Sequence, residues 1–183
     1  KHAMIEDVID YNRKFVAEKN YEPYETSKYP DKKLAILTCM DTRLTELLPA
    51  ALGIHNGDAK IIKNAGGVIS HPYGSAVRSL LVAVLELGVE EIMVIGHTDC
   101  GVQGMDGKKM VEKLKARGIP EEHIDIIRKS GINLEQWLGG FESAKEAVKE
   151  SVDSLKNHPL MPKDLVIRGF MMDSVTGELT ALC

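Results

Sequence analysis

The stretch Glu91-Ile-Met-Val-Ile-Gly-His-Thr-Asp-Cys100 decides how this chain is read. From Glu91 to Ile95 it is a short apolar run without alternation, as expected for a strand buried on both faces of a parallel sheet. Directly after the run, His97 and Cys100 stand three residues apart, close enough on one turn to share a metal ion. The arrangement has a counterpart upstream, where the run Leu34-Ala-Ile-Leu37 leads into Cys39-Met-Asp-Thr-Arg43. Ala59-Lys-Ile-Ile62 and Leu165-Val-Ile167, the latter followed by Phe170 and Met171, make two more runs of the same kind.

Helical periodicity lies between and around these runs. Met4, Ile5, Val8, Ile9, Phe15 and Val16 predict an amphipathic helix over residues 4–19. Val77, Leu80, Leu81, Val84 and Leu85 predict another, with Pro72 in its first turn and Gly88 as its stop. Phe141, Ala144, Val148, Val152 and Leu155 describe a third, closed by Asn157-His-Pro159. Met172 to Gly177 reads as a turn into an antiparallel edge strand, Glu178 to Leu182. Residues 104–140, charged and helical in parts, form an excursion rather than a second domain. The fold class is therefore α/β: a mainly parallel β-sheet with right-handed crossovers, flanked by helices, with an antiparallel C-terminal edge strand. Ligands of such sheets bind at the carboxyl ends of strands, where both Cys39 and His97 fall.

The chain of 183 residues fits one domain spanning 1–183, with residues 1–32 as an N-terminal helix and arm. A 44% hydrophobic and 27% charged composition is that of a globular protein. A net charge of −4 argues against nucleic-acid or anionic-membrane partners. No run approaches the roughly 20 apolar residues that span a bilayer, and the N-terminus lacks the apolar core of a secretory signal. Met4 fits a natural start, which leaves two readings of Lys1 to Ala3, an appended remnant or part of the natural chain. Three cysteines make no disulfide framework, and metal-ligating thiolates need a reducing compartment, so the expected location is cytoplasmic. Cys183, at the end of the chain, is a bystander.

Two thiolates and one imidazole suit borderline-soft Zn²⁺ and leave one coordination position for chemistry. Structural zinc is the competing reading, but such sites are usually closed by four protein ligands, and only one knuckle exists here. A phosphate loop at Gly104 to Lys109 fails because the second glycine comes too early and Lys109 stands where Ser or Thr is required. Cys39 as a redox or phosphatase nucleophile has neither a C-x-x-C partner nor a long enough loop before Arg43. The glycines of Asn64-Ala-Gly-Gly67 allow a tight turn near the site. Asp99 is a turn-former or an acceptor behind the ligands. His2, His55, His71, His123 and His158 read as surface or capping residues, with His71 the best placed of them to shuttle protons.

Cys39-Met-Asp41-Thr-Arg43, Asn64-Ala-Gly-Gly67 and Gly96-His97-Thr-Asp-Cys100-Gly101 resemble, in order and spacing, the three signature stretches of the β-class carbonic anhydrases. The likeness continues into Gly169-Phe-Met-Met-Asp and Thr-Gly-Glu-Leu179, and the short chain is most similar to the small prokaryotic members. The resemblance implies one Zn²⁺ per subunit on Cys39, His97 and Cys100, a dyad of Asp41 and Arg43, and a substrate contact from the Gly101 N–H. It implies reversible hydration of CO₂ to bicarbonate with zinc-bound hydroxide as nucleophile. It also implies a homodimer or dimer of dimers, with the N-terminal helix packed across a neighbouring subunit.

Two thiolates neutralise the ion and acidify its water less than three imidazoles would, so a nearby acceptor such as Asp41 helps. Asp41 has two expected positions: paired with Arg43, or bound to zinc as a fourth ligand that closes the site. The alternatives are a CS₂ or COS hydrolase on the same scaffold and a non-catalytic zinc-binding module.

Overall fold

The computed structural model describes residues 3–183. Lys1 and His2, and with them most of the proposed remnant and the surface reading of His2, lie outside the described residues. Five strands form one sheet: β1 (Leu34–Cys39), β2 (Ala59–Asn64), β3 (Glu91–His97), β4 (Val166–Met172) and β5 (Leu179–Ala181). Their order is β2-β1-β3-β4-β5, with all pairs parallel except β4 with β5. The expected fold class is the one observed, including the antiparallel edge.

The runs of β1 and β3 lack alternation because both faces of the sheet are covered there. Edge-side β2 buries no residue fully, and β4 begins by alternating exposed and buried positions. Ala35, Leu37, Ile92, Val94, Ile167 and Met171 pack against one pair of helices, α3 (Ser75–Leu87) and α7 (Ala144–Lys156). Ile36, Ile95 and Met172 face the other way, onto α2 (Leu44–Leu52) through Leu44 and Leu48. Thr38 is fully buried within β1, and its hydroxyl donates to the Ile95 carbonyl at 2.8 Å, tying β1 to β3 beside the site. Helix α7 can lie close because Gly96 and Gly169 face it. A Cβ on Gly96 would sit 2.7 Å from Val148 Cγ2, and one on Gly169 would sit 2.7 Å from Val148 Cγ1.

Two helix starts differ from the periodicity. Pro72 precedes α3 rather than opening it, because the Tyr73 N–H is taken by His71 Nδ1 at 3.0 Å and the Pro72 carbonyl by His158 Nε2 at 2.6 Å. Phe141 lies outside α7: its carbonyl accepts from the Gly104 N–H at 2.8 Å, and Ser143 caps the helix by accepting from the Glu146 N–H. Helix α2 has no counterpart in the sequence reading.

The N-terminal helix α1 spans Met4–Ala17 and buries none of its residues. The excursion folds into α4 (Gly107–Ala116), α5 (Glu121–Lys129) and α6 (Leu134–Trp137) around Val111, Ile124 and Leu134. Asp106 caps α4 by accepting from the Lys108 N–H at 2.8 Å, so the glycine-bracketed segment that suggests a phosphate loop is a helix start. No described helix is long and apolar enough to cross a membrane.

Candidate metal centre

Chain order reverses between β1 and β3. From β1 the sheet grows outward to β2 on one side and to β3 and β4 on the other. The crevice at such a switch point is where open α/β sheets bind ligands. Cys39 ends β1 and His97 ends β3, and because Thr38 stands beside Ile95 the two carboxyl ends are neighbours. The chain then turns back through Asp99, whose φ of 54° lies in the left-handed region, and brings in Cys100.

The ligand atoms of Cys39, His97 and Cys100 all lie within 4.8 Å of one another, and all three side chains are buried. The two Sγ atoms are 3.9 Å apart. Two thiolates each about 2.3 Å from one tetrahedral ion would stand roughly 3.8 Å apart, so the spacing suits a shared metal.

His97 supplies the stronger observation. Its Nδ1 lies 2.7 Å from the Thr98 carbonyl, which can only accept, so Nδ1 carries the proton and Nε2 is left with a bare lone pair. Nε2 is buried and has no hydrogen-bond partner among the described residues. A buried acceptor left unmatched costs on the order of 1–3 kcal/mol unless it ligates something. The residues present therefore fit a borderline-soft divalent ion.

The knuckle is held from β4. The Thr98 N–H donates to the Met172 carbonyl at 3.1 Å, and the Thr98 hydroxyl lies 3.0 Å from Ser174 Oγ and accepts from the Ser174 N–H. Sequence reasoning missed both hydroxyls. They lie 76 positions apart and carry no mutual signal in a single chain.

Asp41 faces Arg43. Arg43 Nε donates to Oδ1 at 3.0 Å and Nη2 to Oδ2 at 2.8 Å, while the Arg43 backbone N–H adds a bond to Oδ1 at 2.9 Å. This bidentate grip holds the Asp41 carboxyl well below the usual carboxylate range and pushes the guanidinium up. The nearer approach to the ligand set is Oδ2, 3.8 Å from His97 Nε2.

Arg43 has a second acidic partner. Nη1 donates to Asp99 Oδ2 at 3.0 Å and Nη2 to the Asp99 carbonyl at 2.7 Å, so Asp99 is both turn-former and acceptor. Its side chain is 87% exposed, which leaves that ion pair screened and weak. Burial pushes the Cys100 thiol up, as expected for a sulfur that would be a thiolate only with a cation beside it.

A cavity of about 950 Å³ opens over Cys39, Asp41, Arg43 and Gly101. One wall is apolar, built by Met105, Met110, Trp137, Leu138 and Phe141 from the excursion and its return. Trp137 is 70% exposed at the mouth. His71 is exposed, its Nδ1 occupied by the Tyr73 N–H. His158 corrects the surface reading: it is only 4% exposed, with Nε2 donating to Pro72 and Nδ1 accepting from the Leu160 N–H at 3.1 Å.

Comparison with known proteins agrees with this geometry. The carbonic anhydrase family profile matches residues 34–179. YtiB of Bacillus subtilis (strain 168), by its name a provisionally assigned carbonic anhydrase, is 51% identical over 97% of this chain and 95% of its own length. Beta-carbonic anhydrase 1 of Mycobacterium tuberculosis is 33% identical over 82% of each chain. The crystal structure of a β-carbonic anhydrase from Trichomonas vaginalis, 33% identical, superposes with a TM-score of 0.89 over 99% of this chain and 98% of that one. This chain belongs to the β-carbonic anhydrase family, a family of enzymes. The carbon disulfide hydrolase of Acidithiobacillus thiooxidans is 29% identical over 86% of this chain.

Proposed function

We propose that this protein is a zinc lyase that reversibly hydrates CO₂ to bicarbonate and a proton, with Cys39, His97 and Cys100 holding one Zn²⁺ per subunit. The observation that carries the reading is the convergence of two buried sulfurs on a partnerless His97 Nε2 while Asp41 stays on Arg43. A divalent ion in that set would supply Lewis acidity, lowering the pKa of water so that it can attack carbon.

The chain's own residues do the rest. Asp41, kept ionised by Arg43, is too weak a base to hold the released proton. Its role is to accept a hydrogen bond from the attacking oxygen and orient it. Arg43 fixes that carboxylate through two parallel bonds. The Gly101 N–H, at the same cavity, would hold a substrate oxygen as negative charge develops on it. The apolar wall of Met105, Met110, Trp137, Leu138 and Phe141 suits an uncharged substrate and excludes bulk water. As one new C–O bond forms, one O–H bond breaks, and the proton leaves through the open mouth.

The same reading makes the protein a cytoplasmic homodimer or dimer of dimers of 1–183 units, the N-terminal arm packed on a neighbour. Stopped-flow hydration of CO₂ with stoichiometric zinc tests it. A rate well above buffer is expected at pH 8–9, and a rate equal to buffer sinks the proposal. Faster turnover of CS₂, read as released sulfide, would move the protein to the hydrolase reading.

A further inference from the structure

The two ligand cysteines are tied down in different ways. Cys100 is held by its own turn, where the Gln103 N–H donates to the Cys100 carbonyl at 3.1 Å, so any chain that forms the knuckle closes it. Cys39 takes its donor from far along the sequence: the Gly66 N–H points at Cys39 Sγ at 3.4 Å, across 27 positions. That donor must be put in place by something.

The Asn64 side chain does so. Asn64 ends β2 directly beside Cys39 in the parallel ladder, and its carbonyl accepts from the Met40 N–H at 2.9 Å. Its side chain then folds over the next four residues. Nδ2 donates to the Val68 carbonyl at 2.8 Å, and Oδ1 accepts from the Val68 N–H at 3.1 Å. With both ends of one side-chain amide bound to Val68, residues 65–67 are cinched into a loop. Gly66 and Gly67 pass through it at φ of 90° and 65°. A Cβ on Gly67 would lie 2.8 Å from the Cys39 backbone nitrogen, so the loop rests directly on the end of β1. The cinched loop aims the Gly66 N–H at the sulfur.

We infer that Asn64 is a positioning residue for the metal centre: it locks the turn that delivers the Gly66 N–H to Cys39 Sγ, and so sets how tightly the ion is held. The inference rests on the metal reading above. An N–H donor disperses charge on a ligating sulfur and fixes the direction of its lone pairs, and loss of such outer partners typically lowers metal affinity by about 10–100-fold.

The first measurement is made on the unaltered protein loaded with ¹¹³Cd²⁺. Stoichiometric binding is expected, with scalar coupling from the metal through Cys39 Sγ to the Gly66 amide proton. Failure to bind overturns the metal reading itself. Binding without that coupling overturns only the inference drawn from Asn64. The second measurement compares Asn64→Ala with the unaltered protein by chelator competition and by the sulfur-to-Co²⁺ charge-transfer band. Affinity is expected to fall about 10–100-fold with a shifted band. Unchanged affinity with an unshifted band overturns the inference. Should Asn64→Ala not fold, the cadmium coupling decides alone.

Discussion

Asp41 and Arg43 sit two residues apart after a strand, and that spacing lets one planar guanidinium meet one carboxylate along both edges. An amide at position 41 would turn one N–H edge toward the donors of Arg43, so the pair would separate although its shape is nearly unchanged. Asp41→Asn is therefore expected to keep its metal, because the ligand set of Cys39, His97 and Cys100 is untouched, and to lose about 10²-fold or more in kcat. Metal content by elemental analysis and the CO₂ hydration rate check this together. A variant at full rate removes Asp41 from the mechanism, and one without metal makes it a ligand. The Cys39, His97 and Cys100 cluster and the Asp41–Arg43 pair were legible because each motif is local and follows a strand. The Asp99 contacts and the Thr98–Ser174 brace were not, because they depend on which strand ends become neighbours in space. Of the two positions that the sequence leaves open for Asp41, the structure has the carboxylate on Arg43.

Among the elements, strands were easier to read than helix ends. A short apolar run bounded by turn residues reads as a strand, and four runs gave four strands, although only β1 and β3 are buried on both faces. Helix α2 went unread because Pro49 stands inside nine residues and reads as a break. It forms nonetheless because Leu44 and Leu48 are fully buried against the sheet and Gly53, at φ 65°, closes it. It starts directly after Arg43, so it also anchors the dyad. The starts of α3 and α7 shifted because side chains such as His71 and Ser143 took the backbone groups first. The approach of α7 to the sheet yields a test. Gly96→Ala would place its Cβ 2.7 Å from Val148 Cγ2 and 3.0 Å from Met171 Sδ, with little room to give. A loss of about 1–3 kcal/mol is expected, seen as a lower urea midpoint at unchanged slope. An unmoved midpoint would mean that α7 does not press on β3 at this point.

At the scale of the whole molecule, periodicity reads the sheet as mainly parallel, while strand order depends on how pairs pack and carries no signature in a single chain. The order found puts the carboxyl ends of β1 and β3 together, which turns two separate motifs into one site. The same scale holds the largest unbalanced feature. Helix α1 shows the apolar periodicity of a packed helix, yet Met4, Ile5, Val8 and Tyr11 are each more than two-thirds exposed. Fully burying one large aliphatic side chain is worth about 1.5–3 kcal/mol. Three such residues and a tyrosine side by side therefore amount to a sizeable fraction of a domain's net stability of about 5–15 kcal/mol. Contiguous exposed patches of this kind mark association surfaces, and a second copy of the chain is the occupant that the proposed assembly supplies. Val8→Asp puts a charge in the middle of the stripe. The unaltered protein is expected to elute at the mass of a dimer or tetramer by light scattering. Val8→Asp should shift toward monomer at micromolar concentration, with metal content retained because α1 contributes no ligand. An unaltered protein that is already monomeric, or a variant that assembles equally well, would remove α1 from the interface.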